Sequence, residues 1–251
     1  MFELHDVWKG EKKATSRDQW TLAGAATTFP AGHRIGLIGP DSAKNSAVLK
    51  ILSGVDDPDK GAIRRVGTTC WPLDYTNFIE PKATVNQNAN FLAQVYGVDP
   101  VEVMRITARL SGVKVVRGKP MNQYLGPDRR SLALGLTLAF QFDWYFVDER
   151  LPRAPENTAA DVDAAIRDRL SHASVIWATT KPETLEGFCD AGLVLDQGSL
   201  TFYGNYGEAT EAFLRANETK VVGQNDRKSR KAGRRRRAAR RAGEVDTQDA
   251  R

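Results

Sequence analysis

The chain has 251 residues, 41% of them hydrophobic, which suits one globular domain of roughly 200–220 residues with a core able to fold alone. Two cysteines far apart, Cys70 and Cys189, exclude a disulfide scaffold and make a reducing cytoplasm the expected setting. No run approaches the ~18 consecutive apolar residues of a membrane helix, and the opening MFELHDVWKG lacks a signal-peptide layout.

The elements alternate along the chain. Phe2–Trp8 alternates like a strand. The stretch from Trp20 reads as a strand, a turn at PAG and a buried strand, RIGLI. NSAVLKILSG carries apolar residues at 48, 49, 51 and 52 and predicts a helix ended by Gly54 at C′. GAIRRVG is a short strand. TVNQNANFLAQVYG and DPVEVMRITARLSG predict two helices, the second opened by Asp99 with Pro100 at its first position. RRSLALGLTLAFQF is a helix apolar on most of its surface and hence buried. WYFVDE is a buried strand ending in two carboxylates. NTAADVDAAIRDRLSH, ASVIWATT and PETLEGFC predict helix, buried strand and helix. AGLVLDQGSLTFYG is a hairpin turning at Asp196–Gly198, and GEATEAFLRA a last helix. No internal repeat is present.

Apolar strands separated by amphipathic helices predict an α/β fold with a mostly parallel sheet covered on both faces. Ligands of such sheets sit at the carboxyl ends of strands, so the loop at 39–46 and the acids Asp148 and Glu149 are expected to be neighbours. The three histidines, His5, His33 and His172, are scattered and suggest no metal cluster.

The net charge of +5 is local. Residues 224–251 hold 11 Lys/Arg against 4 Asp/Glu, a net of +7, and the rest of the chain carries −2. The domain is expected at 1–222 and a basic disordered tail at 223–251, because Val245 is that tail's one aliphatic residue larger than Ala. Its run includes Arg234, Arg235, Arg236, Arg237, Arg240 and Arg241. Such a run suits anionic lipid, at about 1 kcal/mol per basic residue near the surface. It also suits nucleic acid through counterion release, although no aromatic residue is interleaved for base stacking.

A strand, a Gly-started loop, a helix and, about 100 residues on, a buried strand ending Asp-Glu together resemble the ATP-binding subunits of ABC transporters. The finer resemblance is to subunits that export capsular polysaccharide or similar bacterial glycans. It rests on LIG…S (37–46), LKILSGVDDPDKGAI (49–63), CWP (70–72), NFLAQVYG (90–97), LGLTLAFQFDWYFVDE (134–149), LEGFCD (185–190) and GSLTFYGNYGEATEAF (198–213). It implies a P-loop NTPase-like nucleotide-binding domain with antiparallel N-terminal strands and a helical insert at about 84–141. It also implies ATP and Mg2+ as ligands, a homo- or heterodimer, a membrane permease as partner, and a cytoplasmic place on the inner face of a bacterial plasma membrane.

Laid on this chain, the resemblance assigns nucleotide binding to Gly39, Lys44, Asn45, Ser46, Ala47 and the stacking aromatic Trp8. Magnesium falls to Ser46, Glu80 and Asp148, and the general base to Glu149. The departures are many. A phosphate loop reads G-x-x-x-x-G-K-[ST], with Gly so that N–H groups close on phosphate and Lys for charge. Here the second Gly is Lys44 and the Lys is Asn45. Asp41 brings negative charge where a polyanion would dock. Glu80 stands at the position of a family Gln. The signature loop is Tyr124-Leu125-Gly126-Pro127-Asp128, in which Leu125 replaces a Ser, Pro127 removes an N–H and Asp128 adds charge. The family's switch histidine falls at Thr180. These changes lead us to expect a pseudo-ATPase with weak or absent hydrolysis. The alternatives are an active but atypical ATPase in which Lys44 substitutes for the missing Lys, and a membrane- or nucleic-acid-associated scaffold acting through its tail.

Overall fold

The computed structural model describes residues 1–10 and 19–218. Nine strands are present among them: β1 (Phe2–Gly10), β2 (Trp20–Phe29), β3 (Arg34–Ile38), β4 (Lys60–Arg65), β5 (Thr69–Pro72), β6 (Trp144–Asp148), β7 (Ser174–Thr179), β8 (Ala191–Asp196) and β9 (Ser199–Tyr203). The helices among them include α1 (Ser42–Ser53), α2 (Val85–Tyr96), α3 (Pro100–Ser111), α4 (Gly126–Leu138) and α5 (Ala159–His172). The described residues fall into two units, 1–210 and 211–218. In the second, residues 211–218 are described and helical, with Arg215 paired to Glu211 at 2.8 Å. The domain boundary expected near 222 and the tail arginines Arg234 to Arg241 lie outside the described residues.

In the first unit, β1 sits between β2 and β4, antiparallel to both. A six-stranded sheet runs β5-β6-β7-β3-β8-β9, parallel except where β9 turns back along β8. This is the expected mostly parallel sheet with antiparallel N-terminal strands. Asp196 pairs with Ser199, so the β8–β9 loop is Gln197-Gly198, with φ of 46° and 82°. Two positive φ values in a two-residue loop match the strand twist, and Gly198 takes its value without a Cβ penalty.

Alternation along the strands divides the core in two. Trp144 and Phe146 of β6 pack with Phe2, Phe29, Leu37 and Leu49, whereas Tyr145 and Val147 pack with Leu92, Leu132 and Leu136. Phe2 meets Trp144 edge-on at 4.7 Å, a pairing worth about 0.5–1.5 kcal/mol beyond burial. The insert holds α2 to α4. Thr84 and Gln87 form a capping box on α2, and Asp99 caps α3 with Pro100 in its first turn, as expected. Helices α3 and α4 touch at Gly135, where an added Cβ would lie 2.8 Å from the Thr107 carbonyl oxygen.

Three local expectations differ. Helix α1 begins at Ser42, earlier than the apolar spacing indicates, because Asp41 caps it. PETLEGFC forms a single 3-10 turn, Pro182–Leu185, and the chain leaves it through Gly187 at φ 76°. Thr69–Pro72, where no strand was expected, is the edge strand beside β6.

Candidate functional site

Strands β3 and β6 run the same way, so the loop after β3 and the acids after β6 emerge at the same, carboxyl end of the sheet. Ser46, on α1, donates its Oγ proton to Asp148 Oδ2 at 2.5 Å. The other Asp148 oxygen, Oδ1, is buried with no hydrogen-bond partner. Glu149 follows in the left-handed region, φ 58°, a conformation that costs a non-glycine residue on the order of 1 kcal/mol. Its N–H donates to the Ala178 carbonyl at 3.0 Å, and its own carbonyl accepts from Trp177 Nε1 at 3.3 Å. Glu149 Oε1 is also buried and unpartnered. Asp74, just beyond β5, adds a third carboxylate. Partial desolvation of this otherwise exposed residue, and then the neighbouring Asp148 charge, raise its carboxyl above the usual range.

The connection from β3 to α1 is three residues long: Gly39, Pro40 and Asp41. The Asp41 carboxylate accepts from the N–H groups of Ala43 at 2.8 Å and Lys44 at 3.1 Å. Asn45 N donates to the Asp41 carbonyl at 3.0 Å, and Gly39 N to the Thr179 carbonyl at 3.4 Å. Pro40 has no N–H. Asn45 is fully buried, and its Nδ2 donates to the carbonyls of Gly39 at 3.2 Å and Thr179 at 3.1 Å. The side chain therefore ties the end of β3 to the end of β7. Its Oδ1 has no partner and lies so close to Gly39 that a Cβ there would overlap it.

The remaining assigned residues divide. Lys44 Nζ donates to the Trp20 carbonyl at 3.2 Å. Trp20 stacks edge-on against Trp8 at 5.2 Å, and Trp8 Nε1 donates to Asp6 at 2.9 Å. Ala47 lies half-buried on α1, next to Ser46. Glu80 is exposed, and its carboxylate accepts the N–H of Lys82 within its own loop. Thr180 follows Thr179, the residue bonded by Asn45. Leu125 stands at the N-cap of α4 without a side-chain capping bond and is 74% exposed. Beside that helix start is a cleft of about 510 Å3 lined by Asp74, Asp128, Arg130, Ser131 and Arg153 among others.

The geometry brings Gly39, Asn45, Ser46, Asp148 and Thr179 together, and leaves Glu80 bonded in its own loop. Sequence reasoning missed the Asp41 cap, although an Asp ahead of a helix is a start signal. It also missed Asp74, for which the sequence holds no signal. Ser46 and Asp148 are suited to a magnesium ion brought with a nucleotide, and Asp148 Oδ1 is a donor atom in need of a partner. Among the described residues no group of three or more His, Cys, Asp or Glu side chains could hold a metal by itself. In the loop itself four N–H groups have internal acceptors, position 45 carries no charge, and Asp41 is an anion.

A solved ATP-binding subunit of an ABC transporter superposes with a TM-score of 0.61 at 17% identity, covering 88% of this chain and 98% of that one. The fold is that of an ABC nucleotide-binding domain. A dimeric bacterial ABC transporter cassette superposes with a TM-score of 0.55 at 14% identity, over 80% of this chain and 96% of its own. No family model matches the chain. Its relatives include ATP-binding proteins of capsule and polysaccharide export systems, alongside a tungstate uptake ATP-binding protein of Peptoclostridium acidaminophilum, 24% identical over 182 residues, 68% of this chain and 85% of the relative. The polysialic acid transport ATP-binding protein KpsT of Escherichia coli is 28% identical over 215 residues, 83% of this chain and 96% of the relative. The ATP-binding protein BexA of Haemophilus influenzae is 27% identical over 188 residues, 75% and 85%. The capsule polysaccharide export ATP-binding protein CtrD of Neisseria meningitidis serogroup B is 25% identical over 204 residues, 80% and 94%. Among the described residues of this ABC fold, no helix is long and apolar enough to cross a membrane.

Proposed function

We propose that the chain is the cytoplasmic ATP-binding-cassette subunit of a bacterial polysaccharide exporter, and that its nucleotide site hydrolyses ATP very slowly or not at all. The relatives support the transporter role. The carrying observation for the second part is Asn45. It stands where the phosphate loop places a lysine, carries no charge, and spends its amide on two backbone carbonyls. Losing one charged or oriented contact to a transferring phosphoryl group costs several kcal/mol of transition-state stabilisation. This chain departs at the lysine, at the signature Ser and at the switch histidine together, and such losses are not additive. A pair of these subunits places one chain's phosphate loop against the other's signature loop, so an intact partner repairs neither seam.

ATP, if it enters, would meet Gly39 and Ser46, with magnesium on Ser46 and Asp148 and with Glu149 placed as the base. A phosphate-release assay on the full chain is expected to show background rates. Turnover near ~1 s−1 that disappears in Glu149→Gln would refute the reading.

The permease contact falls on the insert. Phe91, Val95, Val98 and Val101 of the α2–α3 region are exposed apolar side chains, with Phe91 at 63% and Val101 at 73%. A patch of this kind marks an interaction surface. The pair Phe91→Asp and Val95→Asp is expected to leave folding intact and to abolish co-purification of the permease. Unchanged capture would move the contact elsewhere. The tail arginines, Arg234 to Arg237, Arg240 and Arg241, are assigned to anionic lipid at the inner membrane face in preference to nucleic acid. Equal sedimentation with anionic vesicles by the full chain and by residues 1–223 would end that assignment.

A further inference from the structure

The α1 N-terminus is filled from within. In a phosphate loop the N–H groups at the start of the helix wait for an anion, and the helix dipole adds attraction. Here one carboxylate already takes two of those groups, from Ala43 at 2.8 Å and Lys44 at 3.1 Å. Two further N–H groups, of Gly39 and Asn45, go to backbone carbonyls. A second feature points the same way independently. Asn45 is wholly buried, and its unpartnered Oδ1 presses against Gly39 in the interior of the loop.

We propose that Asp41 is an internal stand-in for bound phosphate, and the residue that closes this loop to phosphate-bearing ligands. The inference deepens the reading of the site as non-hydrolysing and rests on it. Asp41 excludes in two ways. It occupies N–H donors that phosphate oxygens need, and it places a like charge at the mouth. It also lessens the need for a ligand, since four of the loop's N–H donors already have acceptors in its absence. On this view, restoring the lysine alone does not restore binding, because the cradle stays occupied.

The test uses the full chain and pyrophosphate with magnesium as the probe, so that no contact to a nucleoside contributes. Asp41→Gly frees the donors and removes the charge, and Gly at an N-cap costs helix stability only a few tenths of a kcal/mol. Asp41→Asn keeps an equally good cap and removes the charge alone. Each is made with and without Asn45→Lys, and binding is read by calorimetry and by the shift in melting temperature.

The wild type and Asn45→Lys are expected to bind alike and weakly. Asp41→Gly should gain about tenfold or more in affinity, the double variant should gain most, and Asp41→Asn should fall between. The proposal is overturned if Asn45→Lys alone gains as much as the double variant. It is also overturned if folded Asp41→Gly binds no better than wild type or, should that variant not fold, if Asp41→Asn gains nothing. An inert wild type with silent Asp41 variants defeats this inference alone. A wild type that turns over ATP defeats the reading beneath it.

Discussion

Asn45→Asp exchanges an amide nitrogen for oxygen at constant shape, so packing is held fixed and only polarity changes. In the wild type the Nδ2 group donates to the Gly39 and Thr179 carbonyls at 3.2 and 3.1 Å. In the variant an acceptor faces those two acceptors inside a fully buried site. An ionised carboxylate left there without compensation costs about 3–5 kcal/mol. A protonated one still donates to one carbonyl and loses a single hydrogen bond, about 1 kcal/mol. The new carboxyl therefore keeps its proton in the folded chain, and its pKa rises above the ~3.9 of the unfolded chain. A group that holds more protons folded than unfolded makes stability fall as pH rises between those two pKa values. Urea unfolding of variant and wild type, compared at each pH, reads the difference. With a slope of about 2–3 kcal/mol per molar, the midpoints should lie within about 0.5 M of each other near pH 4 and about 1–2 M apart at pH 8. Equal midpoints at pH 8 would show that this side chain does not sit on the two carbonyls, and the account of the loop would fail with it.

Gly135→Ala drives a Cβ to 2.8 Å from the Thr107 carbonyl oxygen and 3.2 Å from the Thr107 Cα, atoms that no rotamer change can move aside. Overpacking of this kind costs about 1–3 kcal/mol, and the melting temperature should drop by about 2–10 °C; an unchanged value would mean that α3 and α4 are not in contact there. Both thiols should be silent to a disulfide reagent at pH 8 and react fully in denaturant. Cys70 is wholly buried and its thiol pushed well up by desolvation, and Cys189 is pushed up to about 12 by burial, with Asp190 adding to it. Reaction of Cys189 within minutes in the folded chain would contradict its placement.

The architecture was legible because its signals are long. Buried strands such as ASVIWATT and helices with caps such as Asp99-Pro100 carry both a period and a punctuation mark. Thr69–Pro72 has four residues and no alternation to speak of, and becomes a strand through its pairing with β6. PETLEGFC has helix-forming composition, but Gly187 at positive φ stops it after one turn. The start of α1 was misplaced for a related reason. From Ser42 to Ala47 the residues are small or polar, so the apolar period begins only at Val48, while the Asp41 cap lies further back.

The neighbourhood of Ser46 and Asp148 followed from the direction of the strands alone. What Asn45 does could not follow from it. A phosphate loop and this one share the strand, the first Gly, the helix and the Ser, and differ in where a few side chains turn. Asp41 turns onto backbone N–H groups and so satisfies from within donors that a phosphate loop offers to its ligand, while Asn45 turns onto backbone carbonyls and ties the ends of β3 and β7 together. The acidic half of the site has no such closure. Asp148 Oδ1 and Glu149 Oε1 remain buried without partners. Such orphaned polar atoms are few in folded chains, and here two fall on adjacent, partly buried residues at one end of the sheet. The two halves of the site thus differ in how far their polar groups are satisfied within the chain. Substitutions in the phosphate half should act mainly on stability and anion access, and on the proposed non-hydrolysing reading substitutions at Asp148 and Glu149 should not lower stability.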